Sequence, residues 1–571
     1  MFTMSPEPPI LSLGRWARLL GACALTLCLA AQQPFDNKRP GNARYDLIIE
    51  GGTLVDGTGS HSWAADVAVQ GDRIAAIGDL KSADRKRTID AKGLVVAPGF
   101  IDMHNHSDDS LLDEPKCESM IRQGVTTMVL GEGASQGPVA ERDRKPDRPW
   151  TTLGGYFDYV EKKHAAANIA SYVGETQVWT YVKGEELTPA TPAQIDAMKQ
   201  QVELAMKEGA MGLATSLLMP PSNLITTDQL IELAKVARQY GGIYATHMRD
   251  EGSGVFRSVA ETIQIAKGAN IHADIIHLKI ADKKFWGQMN EIISMINKAR
   301  AEGYNVTANV YPYTAGQNDL RAIVPPWAHD GGNEKMLERL RDASLRPRLR
   351  TDIENGLPDW YNHYLAVGGD WNAMLLVTLS NPKNKQFIGQ RMSDVIAARG
   401  GNPIDDLLDL LIEENGTVPT VFFHHAEPDM QYALKQPFVS IGSDGLAMSP
   451  EGPRGTSIPH PRSYGTFPRV LGRYVRDLHT LTLEDAVRKM TSMNADKISI
   501  TDRGRIQVGL AADITVFDPD KIADRATFVQ PHQYAVGVSY VVVNGQVVLD
   551  AGVHTGALPG RVLRGPGYVR P

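Results

Sequence analysis

Residues 243–277 read IYATHMRDEGSGVFRSVAETIQIAKGANIHADIIH. The first residues, IYATHM, are predicted as a β-strand that carries His247 near its end. A helix is predicted over residues 255–267, and the apolar run after it carries His277. A strand, a helix and a second strand joined by short links predict one parallel βαβ unit.

The same alternation extends in both directions along the chain. Upstream, a capping box at residues 191–194 begins a predicted helix that ends at Gly209. The strand GLATSLL and a helix over residues 228–240 follow it. Downstream, a helix over residues 285–301 precedes the strand NVTANVYPY. Repeated units of this kind predict either a barrel or a doubly wound sheet.

Polar residues at the strand ends distinguish between these two folds. His104 and His106 follow GFID, His247 follows IYAT, His277 lies in IIHLK, and Asp444 follows VSIGS. In a barrel the carboxyl ends of all strands meet at one mouth, so these distant residues converge. No G-x-G-x-x-G sequence follows a predicted strand, which disfavours a dinucleotide-binding fold. We therefore predict an α/β protein with a (β/α)8 TIM-like barrel.

The predicted barrel spans residues 100–504, and residues 325–420 are less regular than the rest. This irregular segment is expected to be an insertion or a lid. Both ends of the chain instead alternate short apolar runs with Gly and Asp-Gly turns, as in DVAVQGDRIAAIG and VSYVVVNGQVVLDAG. We predict that residues 44–99 and 505–571 together build one small β-sandwich domain.

Composition and charge narrow the possible partners. A chain of 571 residues is longer than a domain with one ordinary hydrophobic core, and this length agrees with one large domain and a smaller one. The net charge is −7 and the pI is near 6.1. Lys and Arg are scattered rather than clustered, so we expect no nucleic-acid partner.

Residues 1–31 have the layout of a secretory signal peptide. Arg15 and Arg18 precede an apolar run that ends in small residues. The run is too short to span a bilayer. A buried N-terminal helix is one alternative, and a lipid anchor at Cys23, in the lipobox-like sequence LGAC, is another. Removal of this segment leaves Cys117 without a disulfide partner, and the expected location is the periplasm or the medium.

The sequence HNH at residues 104–106 places two imidazoles on the same side of an extended strand. Two such imidazoles bind a divalent metal through neutral nitrogens. Alone, this motif is weak evidence, because surface pairs of histidines occur by chance. Here His247, His277 and Asp444 also end predicted strands, and the combination predicts a metal site at the barrel mouth.

Several motifs resemble one known family. APGFIDMHNHSDD resembles the first metal-binding strand of the amidohydrolase superfamily. YATHMRDEG, IIHLK, VYPYTAG and IGSDG followed by HPRSYGTFPRVLG resemble the N-acyl-D-amino-acid deacylases, or D-aminoacylases. GRIQVGLAADITVFDPDKI is similar to the closing strands of the family's small β-domain. The resemblance covers residues 45–565 and is most specific for the superfamily.

The resemblance implies roles for single residues. His247 and His277 match the family's tight zinc site, while His104 and His106 match a second metal position that they share with Asp444. The counterpart of Asp444 is the catalytic proton shuttle. A bound zinc lowers the pKa of its water to about 7, and a carboxylate beside that water acts as base and then as acid. An ordinary aspartate in a Ser-Asp-Gly turn is the alternative for Asp444.

Glu132 marks a departure from the family pattern. The deacylases usually present a cysteine in a G-N-C-G segment, whereas the matching residues 130–135 here read LGEGAS. Glu132 is the side chain there that suits metal binding, and a carboxylate is able to bridge two metals. We expect one or two Zn²⁺ ions per chain, with Mn²⁺ or Co²⁺ admitted by the harder ligand. A surface glutamate between two glycines is the alternative.

Lys279, Tyr311 and Arg462 lie where the family binds the carboxylate of its substrate. An arginine holds a carboxylate through two parallel hydrogen bonds, which also fixes stereochemistry. A structural ion pair is the alternative for each, and Lys279 has a rival role as a carbamylated, metal-bridging lysine. Gln317 replaces a small polar residue of the family, and Arg321 is a candidate partner for an acidic substrate side chain.

Three functions compete. The resemblance implies zinc-dependent hydrolysis of small-molecule N-acyl-D-amino acids to a carboxylate and a free D-amino acid. A D-residue dipeptidase or a cyclic-amide hydrolase, of the dihydroorotase or hydantoinase kind, would use the same site. A binding protein on the same barrel normally lacks a ligand or the aspartate, and here both histidine pairs and Asp444 are present. Hydrolysis of linear amides is therefore preferred.

Overall fold

The computed structural model of the protein describes residues 44–184 and 186–570. The expected signal peptide and the alternative anchor residue Cys23 lie outside these ranges. Within the described ranges, no helix combines the length and the apolar character needed to cross a membrane.

Eight parallel strands form a barrel within the described residues, as the sequence predicts. Their bounds are Phe100–Asp102, Val125–Leu130, Asn168–Ser171 continued by Val173–Gly174, Gly212–Ser216, Ile243–His247, Ala273–Ile275, Val306–Val310 and Val439–Ile441. A parallel bridge between Asn105 and Gly445 brings the eighth strand beside the first. The Asn494 side chain donates to the carbonyls of Ile101 and Ile441, at 2.7 and 2.9 Å. All carboxyl ends therefore meet at one mouth.

Helices connect the strands and cover the outside of the barrel. Their bounds are Ser110–Asp113, Glu118–Ile121, Leu153–Lys163, Glu175–Lys183, Pro192–Glu208, Thr227–Gln239, Val255–Ala269, Met289–Ala301, Glu427–Leu434, Arg462–Arg469 continued by the π-helix Val470–Asp477, Leu483–Met490 and Ser492–Lys497. The predicted capping box is present at Thr191 and Gln194. The helix predicted from residue 285 begins at Met289, because residues 283–285 form a separate turn capped by Asp282.

The segment between the seventh and eighth barrel strands is a folded insertion. Its antiparallel sheet has the order Gly316–Asp319, Pro419–Phe422, Met374–Leu376. Its helices are Gly332–Arg341, Arg346–Asn355, His363–Ala366, Met392–Arg399 and Pro403–Glu413. A separate apolar core includes Leu340, Met392, Leu407 and Phe422, all fully buried. The insertion therefore has a core of its own beside the barrel mouth.

Strands from both ends of the chain form the small β-domain. One sheet has the order Arg73–Gly78, Asp66–Gln70, Leu47–Glu50, Thr88–Asp90. The other has the order Val553–His554, Gln546–Asp550, Val538–Val543, Ile514–Phe517, Val95–Pro98, Thr53–Leu54, Trp63–Ala64. Side chains from both sheets, among them Ile49, Val67, Ile514 and Val542, share one buried cluster. The two sheets are therefore packed as a sandwich.

Beyond its last strand the chain returns to the barrel. The backbone N–H of Leu563 donates to the carbonyl of Ile169 at 2.7 Å, and that of Gly565 donates to Gly209 at 2.8 Å. Val562 forms a parallel bridge with Ile169, in the third barrel strand. The final residues thus fasten the C-terminal segment to the outside of the barrel, and Arg561 also pairs with Asp72 of the sandwich at 2.6 Å.

Candidate metal centre and substrate cavity

The first and eighth barrel strands place His104, His106 and Asp444 side by side. The backbone N–H of Asp444 donates to the His104 carbonyl, and that of His106 donates to the Gly445 carbonyl, both at 2.8 Å. Asp444, which takes part in this pairing, has a left-handed backbone conformation with a φ of 54°. Its Oδ1 atom lies 3.0 Å from His106 Nε2 and 3.8 Å from His104 Nε2. The aspartate therefore faces both histidines of the HNH motif.

Glu132 follows the second barrel strand and lies between two glycines. Gly131 has a φ of 89°, and a Cβ atom there would lie 2.4 Å from the carbonyl oxygen of Tyr172. Only glycine permits this close approach. Oε2 of Glu132 contacts His104 Nε2, and Oε1 lies 3.0 Å from His247 Nδ1. The buried carboxylate thus touches one histidine from each pair.

His247 ends the fifth barrel strand, and His277 lies just beyond the sixth. Nδ1 of His247 and Nε2 of His277 are 3.0 Å apart. Burial and the Lys279 cation lower the pKa of His277 to about 4, so its imidazole is neutral at neutral pH. Two ring nitrogens and a Glu132 oxygen therefore converge on one point, as metal ligands do.

The donor atoms form two groups that share one carboxylate. The groups are His104, His106, Glu132 and Asp444, and Glu132, His247 and His277. Within each group the ligand atoms lie within 4.8 Å of one another. Imidazole nitrogen and carboxylate oxygen suit Zn²⁺ and also Mn²⁺ or Co²⁺. The residues present would therefore suit one or two divalent ions, and Glu132 belongs to both donor groups.

Glu251 is a site residue that the sequence reasoning missed. Its carboxylate lies 3.1 Å from His277 Nδ1, 3.5 Å from His247 Nε2 and 2.5 Å from Lys279 Nζ. Glu251 thus lies beside His277 Nδ1 and His247 Nε2. The other nitrogen of each ring, His277 Nε2 and His247 Nδ1, is on the side of Glu132. A carboxylate in this position orients a ligand histidine and fixes its tautomer. The signal available in the sequence was its position four residues after His247.

Asp102 is the second residue that was missed. It is fully buried and accepts hydrogen bonds from the backbone and hydroxyl of Ser443, at 2.7 and 2.5 Å, and from Asn105 Nδ2 at 2.8 Å. Burial raises the pKa of this carboxyl, although the hydrogen bonds oppose the shift. Asp102 fastens the residue before Asp444 to the first strand and so sets the position of the aspartate.

The residues expected to bind the substrate carboxylate lie together at the mouth. Arg462 Nη1 is 2.6 Å from Asp444 Oδ2, and its guanidinium lies 4.9 Å from the centre of the Tyr311 ring. Lys279 Nζ lies 6.0 Å from the same ring. The Tyr311 hydroxyl has no hydrogen-bond partner among the described residues. The three side chains therefore surround one space next to Asp444.

A cavity of about 370 Å³ connects the donor groups with this space. The insertion supplies one wall through residues 316–319, His363 and His424. Gln317 lines the cavity and accepts a hydrogen bond from the backbone of His460 at 3.1 Å. Arg321, the candidate partner for an acidic substrate, is not part of the cavity lining, and its Nε atom is 3.8 Å from Asp319. The structure thus does not bring Arg321 to the site.

Metal-dependent hydrolases place a carboxylate beside the metal, where it exchanges protons with the attacking water and the leaving group. The mouth of this barrel has that arrangement, because Asp444 adjoins one donor group and the cavity at the same time. By class, the protein is a metal-dependent hydrolase built on a (β/α)8 barrel.

Comparison with known proteins makes the assignment more specific. The profile of the amidohydrolase family matches residues 87–309 and 434–549, and the unmatched interval contains the insertion. The chain is 36% identical to the D-aminoacylase of Alcaligenes xylosoxydans xylosoxydans, over 91% of this chain and 97% of that protein. It is 33% identical to the N-acyl-D-aspartate deacylase of the same organism, over 91% and 95% of the two chains.

A solved structure shows the same relationship. The N-acyl-D-glutamate deacylase of Bordetella bronchiseptica, complexed with zinc and a phosphonate inhibitor, is similar with a TM-score of 0.77 at 28% identity. The match covers 91% of this chain and 100% of that one. The chain therefore belongs to the amidohydrolase family, in the group that contains D-aminoacylase and the N-acyl-D-amino-acid deacylases.

Proposed function

We propose that the protein is a zinc-dependent amidohydrolase that cleaves the amide bond of N-acyl-D-amino acids, releasing a carboxylate and a free D-amino acid. One observation carries the proposal. The Asp444 carboxylate lies 3.0 Å from His106 in a donor group and 2.6 Å from Arg462, a residue expected to bind the substrate. Proton transfer, metal binding and substrate binding therefore meet at this side chain.

Asp444 supplies the proton transfers of the proposed reaction. Zinc, when bound, lowers the pKa of a coordinated water to about 7 and polarises the scissile carbonyl. Burial alone would raise the pKa of Asp444, but Arg462 and His104 hold it well below its usual range. The carboxylate is therefore ionised and ready to accept a proton. It then returns that proton to the leaving amine nitrogen.

Arg462, Tyr311 and Lys279 hold the substrate in the proposed reaction. One Arg462 nitrogen is paired with Asp444, and the guanidinium has further N–H donors for the substrate carboxylate. The Tyr311 hydroxyl supplies one more donor, and Lys279 adds positive charge. A carboxylate bound here places the adjacent amide nitrogen beside Asp444. We therefore expect the substrate to need a carboxylate next to the scissile bond.

The metal content is part of the proposal. The histidine pairs and Glu132 are proposed to hold one or two Zn²⁺ ions, and Mn²⁺ or Co²⁺ is expected to substitute because a carboxylate is a harder ligand than a thiolate. His104, His106 and Asp444 would serve one ion, and His247 and His277 the other.

A screen with paired N-acetyl-D- and N-acetyl-L-amino acids tests the proposal. We expect cleavage of the D-series, loss of activity with a chelator, and recovery with added zinc. The matching D-amino-acid amides, which lack the free carboxylate, are expected to be cleaved poorly. Activity that survives chelation would contradict the metal role, and equal cleavage of acid and amide would contradict the roles of Arg462, Tyr311 and Lys279.

We also propose that the protein is exported and acts in the periplasm or the medium. The support is the sequence of residues 1–31 alone. The mature chain from its native host should begin near Gln32. An intact chain starting at Met1 in the cytoplasm would contradict export, and a lipid on Cys23 would favour the anchored alternative.

A further inference from the structure

We infer that the D-amino acids released by this enzyme carry uncharged side chains, and that acidic ones are discriminated against. The inference rests on the proposed function and names its substrate class. The relatives do not decide it, because D-aminoacylase, N-acyl-D-aspartate deacylase and N-acyl-D-glutamate deacylase all match the chain over most of its length. The inference is instead decided by the charges of the side chains that line the cavity.

The cations of the cavity are already engaged. Among the described residues, the lysine and arginine side chains lining it are Lys279 and Arg462. Lys279 Nζ is 2.5 Å from Glu251, and Arg462 Nη1 is 2.6 Å from Asp444. In the proposed reaction both also face the carboxylate next to the scissile amide. A second carboxylate, on the substrate side chain, would be desolvated without a cation of its own, which is strongly unfavourable.

Arg321 does not supply the missing charge. It is not among the cavity-lining residues, and its Nε atom lies 3.8 Å from Asp319. Asp319 does line the cavity, and its two oxygens accept hydrogen bonds from the backbones of Arg321 and Val418, both at 3.0 Å. Burial raises the pKa of Asp319, so this wall offers an acidic group rather than a cation to an acidic substrate side chain.

Away from the two donor groups, the rest of the lining is uncharged. Apolar side chains come from Leu218, Met219, Pro419 and Leu446. His363 and His424 lie in the wall from the insertion, and burial lowers the pKa of His363 to about 3 and that of His424 well below its ordinary value. Both imidazoles are therefore neutral at neutral pH. Such walls suit an apolar side chain or a polar one without charge.

The isosteric pair N-acetyl-D-glutamine and N-acetyl-D-glutamate isolates the effect of charge. We expect kcat/KM to be at least about 100-fold higher for the glutamine substrate, the scale set by a buried charge without a partner. Equal or better cleavage of the glutamate substrate would overturn the inference and leave the proposed function standing. Failure to cleave either substrate or N-acetyl-D-leucine would instead contradict the proposed function.

Two variants at Met219 provide the matched test. Met219 is half-buried in the cavity lining, and both lysine and glutamine approach its length. Met219→Lys adds a cation to the cavity, so the preference for glutamine over glutamate should shrink at least about 10-fold relative to Met219→Gln. Thermal unfolding would verify that both variants are folded. Equal preferences in the two folded variants would contradict a preference set by the missing cation.

Discussion

Two buried groups of charged residues lie in the barrel, one between its strands and one beyond their carboxyl ends. Between the strands, Lys497 Nζ donates to Asp274 Oδ1, the Ala308 carbonyl and Ser440 Oγ, at 2.6, 2.7 and 2.8 Å. All three of its protons are used. Asp274 also accepts from Thr307 at 2.5 Å and from the Asn309 side chain. Lys497 and Asp274 therefore find their hydrogen-bond partners within the protein.

The group at the mouth is arranged differently. The facing nitrogens of His247 and His277 lie 3.0 Å apart, and the Tyr311 hydroxyl is without a partner among the described residues. Buried polar atoms normally find hydrogen bonds within the protein. Burial and charge are therefore common to both groups. The group at the mouth differs because several imidazole nitrogens and carboxylate oxygens converge there, whereas each proton of Lys497 has its own acceptor in the protein.

The largest effect is expected from Asp444→Asn at the mouth. Asparagine keeps the shape but cannot shuttle protons, so kcat should fall about 1,000-fold or more, within the roughly 10²–10⁴-fold range of general acid–base catalysis. Steady-state kinetics and metal analysis would be measured together, because Asp444 also adjoins a donor group. Asp477→Asn, at an exposed carboxylate paired with Arg476, is the matched control. A near-normal kcat in Asp444→Asn would refute the mechanism.

Between the strands, Lys497→Met should affect stability and leave the site intact. Removing one partner of a buried ion pair costs about 3–5 kcal/mol of unfolding free energy, because Asp274 is left as an unpaired charge. Urea unfolding measures the loss, and metal content per folded chain should not change. Adding Asp274→Leu to this variant should recover part of the stability. Metal loss in the folded Lys497→Met protein would erase the distinction between the two groups.

A smaller effect is expected from Glu251→Gln. The neutral amide has one acceptor oxygen and no charge, so it cannot replace the carboxylate beside both histidine rings and Lys279, and metal affinity should fall about 10- to 100-fold. Competition with a chelator would measure the dissociation constant. Glu261→Gln removes a carboxylate paired with Arg249, away from the donor groups, and is the control. An unchanged affinity in Glu251→Gln would show that this carboxylate does not orient the ligands.

The hydrophobic periodicity of the sequence, and the residues that follow its predicted strands, made much of the site at the barrel mouth predictable. His104, His106, His247, His277 and Asp444 each follow an apolar run, and a barrel brings the ends of such runs together. Glu132 was predicted because it stands in the segment where the resembled family presents a cysteine ligand, and the glycines beside it permit a close backbone approach. The structure places these six residues within one pair of donor groups.

The remaining features depend on tertiary contacts that no local pattern records. Glu251 reaches two histidines through the loop after the fifth strand, and Asp102 acts through Ser443, far away in the chain. The Lys497–Asp274 pair joins a helix to the sixth strand across a long sequence separation. The insertion forms its own core. Its boundary and its part in the cavity wall therefore depend on side-chain packing, which the hydrophobic periodicity of the sequence does not record.

Metal analysis of Glu132→Ala tests the central claim most directly, because that carboxylate joins the two donor groups. After extensive dialysis, the wild-type protein should retain up to two divalent ions per chain. Without the shared carboxylate, two cations held mainly by neutral imidazoles would repel each other, so Glu132→Ala should lose at least one ion and most activity. Metal content equal to that of the wild type would show that Glu132 is a loop residue and contradict the shared site.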